Sequence, residues 1–198
     1  MSLLIYLILA GIAAISIAAY MVGLYNRLQS LRNGAEATLS QIRVAMKKRL
    51  DMVEGLVAST EAYAHFERKV LERITDLRAG LGEARPKDLD RIQGESQGLI
   101  GKISAVAESY PDLKTSEAVA VTMSAIREVE DEIARYRYTY NNIVQEYNTM
   151  LDTFPSNIAA SRAGMREEEY LSFEVDELAR QGYLPWQEEP RRPEAGWR

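Results

Sequence analysis

From Ile126 to Phe154 the chain reads IREVEDEIARYRYTYNNIVQEYNTMLDTF. Alternate steps of four and three land on Ile126, Glu130, Ile133, Arg137, Tyr140, Val144, Tyr147, Leu151 and Phe154. That period keeps every listed side chain on one face of a helix and predicts a bundle seam. Only Glu130 and Arg137 interrupt its apolar and aromatic run, and they lie one heptad apart. Asn141 and Asn148 repeat the same spacing one residue off the seam. Pro155 closes the stretch, because proline turns the residue before it away from helix. A long helix with one apolar face must find partner helices, so this run demands a helical fold.

The partners are legible upstream. Leu39, Ile42, Met46, Arg49, Val53, Leu56, Thr60 and Tyr63 form a second seam, and Phe66, Val70, Ile74, Leu77 and Leu81 a further stripe. Asn33-Gly34 is a soft point, and a turn near Ala64–Phe66 is left open because no glycine or proline marks it. Gly80, Gly82 and Pro86 mark a connection. The next helix carries Leu89, Ile92, Leu99, Ile103 and Val106, with Gly94, Gly98 and Gly101 either permitting close approach or weakening it. Thr115 or Ser116 is placed to cap the last long helix. With no useful strand-like alternation, the expectation is all-α: an antiparallel four-helix bundle with long helices, spanning 25–173.

The first 24 residues carry no charged side chain. A helix from Leu3 to Leu24 rises roughly 33 Å, enough to cross a hydrocarbon core. A cleaved signal fits less well, because no basic region precedes the run. Residues 1–24 are therefore read as a single-pass anchor. Arg27, Arg32 and Arg43 follow it against the one acid Glu36, which puts the N-terminus outside and the bundle in the cytoplasm. Small residues such as Gly11, Ala14 and Ala18 permit helix association within the span. Residues 174–198, rich in Pro, Glu and Arg, read as a flexible tail with a loose P-x-x-P pattern at Pro190–Pro193.

Composition removes several kinds of chemistry. A net charge of −5 gives no basic excess for nucleic-acid binding. The chain has no cysteine and one histidine. Thiolate zinc sites, cysteine nucleophiles and a di-iron bundle with paired Glu-x-x-His motifs are thereby excluded. Glu61 and His65 make a single i, i+4 pair, read as exposed polar residues. The acidic run Glu128, Glu130, Asp131 and Glu132 reads as a solvated face with one inward member. No nucleophile elbow or P-loop occurs. The expectation is no catalytic residue, no cofactor and no metal.

Three charged seam residues remain. In an antiparallel pairing with Phe154 near the membrane, Arg49 falls level with Ile133, between Glu130 and Arg137. An Arg49–Glu130–Arg137 network would fix helix register, and a small-ligand site inside the bundle is the alternative. Tyr140 and Tyr147 read as core with hydroxyls reaching a partner or the rim. Asn141 and Asn148 either bond neighbouring helices or stay exposed for a protein partner. Tyr170, Leu171 and Phe173 are placed to fold back on the bundle.

Several of these blocks together resemble the LemA family. They are YPDLK at Tyr110–Lys114, then Glu130, Ile133, Arg137, Tyr140-Asn141, Val144, Tyr147-Asn148 and Phe154-Pro155. Further matches are YNRLQSLRN after the span, SQIRV at Ser40–Val44, KKR at Lys47–Arg49, and Tyr63, Glu67, Leu71 and Arg78. Leu39, Glu54 and Phe66 depart from the pattern, which places roles at those positions in doubt. The resemblance implies a membrane-anchored antiparallel bundle without naming a reaction; some relatives are associated with magnetosome membranes. The expected function is a non-enzymatic scaffold or interaction module in membrane organisation or envelope quality control. Its expected partners are the lipid bilayer and another protein or a second copy. A regulatory module sensing a small ligand in a polar cavity is the alternative; dry packing around Arg49 and Glu130 would favour the scaffold.

Overall fold

A computed structural model of the chain describes residues 2–60, 68–110 and 116–172. Among these residues the fold is five helices and no strand: α1 (Ser2–Thr60), α2 (Arg68–Gly80), α3 (Pro86–Ser109), α4 (Glu117–Asp152) and α5 (Ser156–Arg162). Residues 165–172 follow α5 as a strap without helical or strand structure. Glu61, Tyr63, His65, the region Ala64–Phe66, Thr115 and the tail from 174 lie outside the described residues.

α1 and α4 run antiparallel along their length. Arg27 pairs with Glu146 at one end and Arg49 with Glu130 at the other, while Gly34 lies beside Ile143 between them. The two seams supply the interface. Leu39, Ile42, Met46, Arg49, Val53 and Leu56 are buried on α1, as are Ile126, Ile133, Arg137, Tyr140, Val144 and Tyr147 on α4. α2 packs back against α1, where Arg78 pairs with both Asp51 and Glu54. α3 returns beside α2 through Arg73–Glu95 and contributes buried Leu89, Ile92, Leu99 and Ile103. The α2–α3 connection is a short turn closed by backbone bonds from Leu81 to Arg78 and from Ala84 to Leu81. Pro86 then takes the first position of α3, where its missing N–H has no intrahelical partner to lose.

Three local expectations change. Asn33-Gly34 is not a break, because α1 runs through it as one helix of 59 residues, roughly 88 Å long. A Cβ on Gly34 would stand 3.9 Å from Ile143, an ordinary contact, so packing against α4 holds that turn in place. Among the described residues, no heavy atom would come within 4 Å of a Cβ at Gly94, Gly98 or Gly101, so no described helix approaches closely there. Phe154, the last seam position, is 80% exposed. α4 ends at Asp152, and the cis peptide Phe154–Pro155 lies in the turn before α5.

α5 tucks back along α1. Ala159 and Ala160 bury themselves with Leu28 and Tyr147, flanked by Met21, Leu24 and Met150. Packing on α1 therefore begins at Met21, and residues 2–20 project bare, with Leu3 at 74% and Ile15 at 72% exposure. This is the one helix among the described residues long and apolar enough to cross a membrane. Its bare part rises roughly 28 Å, close to the thickness of a bilayer's hydrocarbon.

Candidate functional site

The conspicuous polar construction on the bundle is the seat of the strap. Asn148 donates from Nδ2 to the Glu168 carbonyl at 3.0 Å and accepts the Glu168 N–H at Oδ1, also at 3.0 Å. Asn141 treats Leu171 identically, at 2.8 and 2.9 Å. Each side-chain amide thus exchanges two hydrogen bonds with one strap residue, as facing residues do in an antiparallel sheet. The spacing follows from geometry. Seven helical residues advance roughly 10.5 Å, and three extended residues, from 168 to 171, cover about 10 Å. Asparagines one heptad apart therefore meet strap residues three apart.

Neighbouring side chains complete the seat. The Tyr140 hydroxyl donates to the Glu169 carbonyl at 2.9 Å. Arg137 donates to the Ser172 carbonyl and meets Asp90 at 3.3 Å, and Asp90 accepts the Ser172 N–H at 3.0 Å. Leu171 is buried beneath, whereas Tyr170 is half-exposed. Flanking charges fasten the strap to α1 and α3, with Arg32 at 3.6 Å from Glu168 and Lys87 at 2.8 Å from Glu169. The Glu169 carboxylate holds the Lys87 ammonium above its usual range by hydrogen bonding and by charge. Burial, aided by the carboxylates of Glu168, Glu36 and Glu169, pushes the Tyr140 hydroxyl up to about 12. Burial also raises Tyr147, with Arg32 pulling the other way.

Asn141 and Asn148 thus hold the chain's own strap, an outcome different from either sequence expectation. An eight-residue extended segment carries no periodicity, so the strap was not visible as their partner. The spacing of the asparagines was the available signal. Arg137 has partners beyond the expected trio. It faces Asp90 of α3 and the strap, two turns along α4 from Glu130, because α3 approaches α4 at that level. Nothing in the spacing of α3 singles out Asp90.

The second polar centre lies deeper. Arg49 is fully buried, its Nη1 standing 3.7 Å from Glu130 Oε1, and it donates from Nη2 to Ser96 Oγ. Ser96 in turn donates to the Gln93 carbonyl at 3.0 Å. Ser96, unremarked in the sequence, brings α3 into the Arg49–Glu130 contact. This centre ties three helices together.

A polar cavity lies elsewhere, beside the strap. It encloses about 580 Å3 and is lined by Arg32, Glu36, Arg43, Arg85, Tyr140 and Glu167, among others. Arg43 is already committed there, to the Ala84 carbonyl at 2.9 Å and to Glu36 at 2.9 Å. Among the described residues no group of three or more His, Cys, Asp or Glu side chains is placed to hold a metal ion. Of the acidic run on α4, Glu128 and Asp131 are exposed and Glu130 and Glu132 half-buried; Glu132 accepts from the Tyr136 hydroxyl at 3.1 Å.

A bare apolar helix running into a strapped four-helix bundle defines a membrane-associated, all-helical class of protein. The comparisons narrow this. The model of the LemA family matches residues 38–182, which include both polar centres and the strap, and the chain belongs to that family. It is similar to Protein LemA of Metamycoplasma hominis, 29% identical over 143 residues. That alignment takes in 71% of this chain but 65% of the relative, so the chain spans just under two thirds of that protein's length. It is also similar to Magnetosome protein MamQ 2 of Paramagnetospirillum magneticum, at 24% identity over 81% of this chain and 70% of the relative. Magnetosome protein MamQ of Magnetospirillum gryphiswaldense is 23% identical over 83% of this chain and 71% of its own length.

Proposed function

We propose that this protein is a non-enzymatic, single-pass scaffold or interaction module that organises a membrane or serves envelope quality control. One observation carries the reading: a bare apolar helix continues without a break into the core of the bundle. Such a helix fixes the bundle rigidly to a bilayer, as a platform for protein contacts requires. The relatives named as magnetosome proteins support a role tied to a membrane compartment. The basic flank Arg27, Arg32 and Arg43 favours a cytoplasmic bundle. The partner on this reading is another protein or a second copy of the chain. Arg49 is fully buried where α1, α3 and α4 meet, and that burial supports the scaffold. In-cell crosslinking with recovery from native membranes tests the proposal. A protein that stays monomeric and recovers nothing from membranes would overturn it. Digestion of the bundle by external protease in intact cells would reverse the orientation.

The cavity of about 580 Å3 beside the strap keeps the ligand-sensing alternative specific. Its lining sets Arg32, Arg43 and Arg85 among Glu36, Glu167, Glu168 and Glu169, and Arg32 and Arg43 already meet Glu168 and Glu36, so an anion on that reading would be held at Arg85. Thermal stabilisation by inorganic phosphate, lost in Arg85→Ala, would favour it over the scaffold.

A further inference from the structure

Phe154 continues the α4 seam in sequence, yet it is 80% exposed at the end where the anchor leaves the bundle. The antiparallel register explains its position. Arg27 stands opposite Glu146, so the end of α4 falls level with Tyr20 to Gly23, where the bare helix begins. α5 turns back at that level. Its Ile158 is 42% exposed, and Tyr20 and Tyr25 on α1 are 57% and 41% exposed. Between α5 and α1 runs a groove of about 870 Å3, walled by Ala14, Ile17, Ala18, Met21 and Ala159 and bounded by Arg162. Arg162 and Arg166 are exposed nearby, with the exposed acids Asp152 and Glu167.

If α1 crosses a bilayer with its bare part in the hydrocarbon, this corner cannot stand clear of the surface. Residues 14–21 belong to the apolar span, and they form one wall of the α5 groove. Aromatic and apolar side chains beside arginines suit the headgroup layer, where rings sit at the boundary and cations meet phosphate. We propose that the α4–α5 corner is a lipid-docking foot. Phe154 and Ile158 enter the interfacial layer of the leaflet next to the bundle. Acyl chains fill the groove along α1, and Arg162 and Arg166 face anionic headgroups. The occupant is phospholipid, not a second protein, because the surface is continuous with the membrane span and carries arginine at the headgroup level. The inference rests on the reading that α1 spans the membrane, and it adds a second, peripheral contact to that anchor.

The absence of cysteine makes the test clean. Single variants Phe154→Cys, Ile8→Cys and Val121→Cys of the full chain, each carrying an environment-sensitive fluorophore, would be reconstituted into phosphatidylcholine–phosphatidylglycerol vesicles. All three positions are exposed, so labelling leaves the core intact. The expected result is quenching at position 8 by a mid-bilayer nitroxide lipid, at 154 by a headgroup-level nitroxide lipid, and at 121 only by aqueous iodide. Arg162→Glu with Arg166→Glu should lower the lipid quenching at 154 at least twofold and leave position 8 unchanged. If position 8 is quenched by lipid while 154 behaves like 121, the foot is wrong and the anchor stands. Iodide access at position 8 sinks both. Shielding at 154 that grows with protein-to-lipid ratio and ignores nitroxide lipid would assign the surface to a second copy and overturn the proposal.

Discussion

Asn141 and Asn148 each place a side-chain amide against one residue of the strap, matching donor to carbonyl and carbonyl to N–H. Since each asparagine satisfies both backbone groups of its strap residue, its loss leaves two half-buried backbone groups without those partners. Asn148→Ala should therefore loosen the strap by about 1–3 kcal/mol, or roughly a decade in opening for each 1.4 kcal/mol. Hydrogen exchange at the Glu168 amide and tryptic cleavage after Arg166 would report it; unchanged protection would mean that the clamp does not hold the strap. Asn148→Asp should be no better, because its carboxylate would face the Glu168 carbonyl. The Tyr140 hydroxyl gives the seat a pH limit. Its folded value of about 12 lies above the ordinary phenol value of 10.0, so its contribution is complete below pH 10 and is lost as pH rises through 12. The unfolded phenol ionises first and draws the equilibrium over, worth roughly 2–3 kcal/mol by the end of that window. Denaturant unfolding between pH 9 and 12 should show a steeper loss in the native chain than in Tyr140→Phe.

Helix pairing was the part most open to reading in advance. The seams on α1 and α4 follow one period, and that period says which faces are buried and that α4 must return along α1. It cannot say where α3 crosses them. Arg49 and Glu130 come to 3.7 Å, whereas Arg137 belongs to Asp90 and the strap, because α3 sets those partners. Phe154 marks the limit of periodicity for a different reason. The pattern continues to it, but α4 stops at Asp152. The Arg49 contact yields a measurable coupling. Arg49 is wholly buried and the Glu130 side chain is 25% exposed, so Glu130→Ala should cost about 1–3 kcal/mol, below the roughly 3–5 of a fully buried broken pair. Arg49→Met with Glu130→Leu should cost less than the sum of the single changes by about 1 kcal/mol or more. Zero coupling in that double-mutant cycle would mean that the two groups do not act together.

If, as proposed above, α1 spans the membrane, one unbroken helix serves both as anchor and as central helix of the bundle. A tether of this kind permits no swivelling: whatever angle the span adopts in the bilayer, the bundle adopts as well. From Tyr20 to Thr60 is roughly 60 Å of helix, so each degree of lean carries the far end sideways by about 1 Å. Lean is also how a span longer than the local hydrocarbon accommodates itself. With its base in the membrane as proposed, the molecule would be a pointer, and local bilayer thickness would be written out as displacement at its tip.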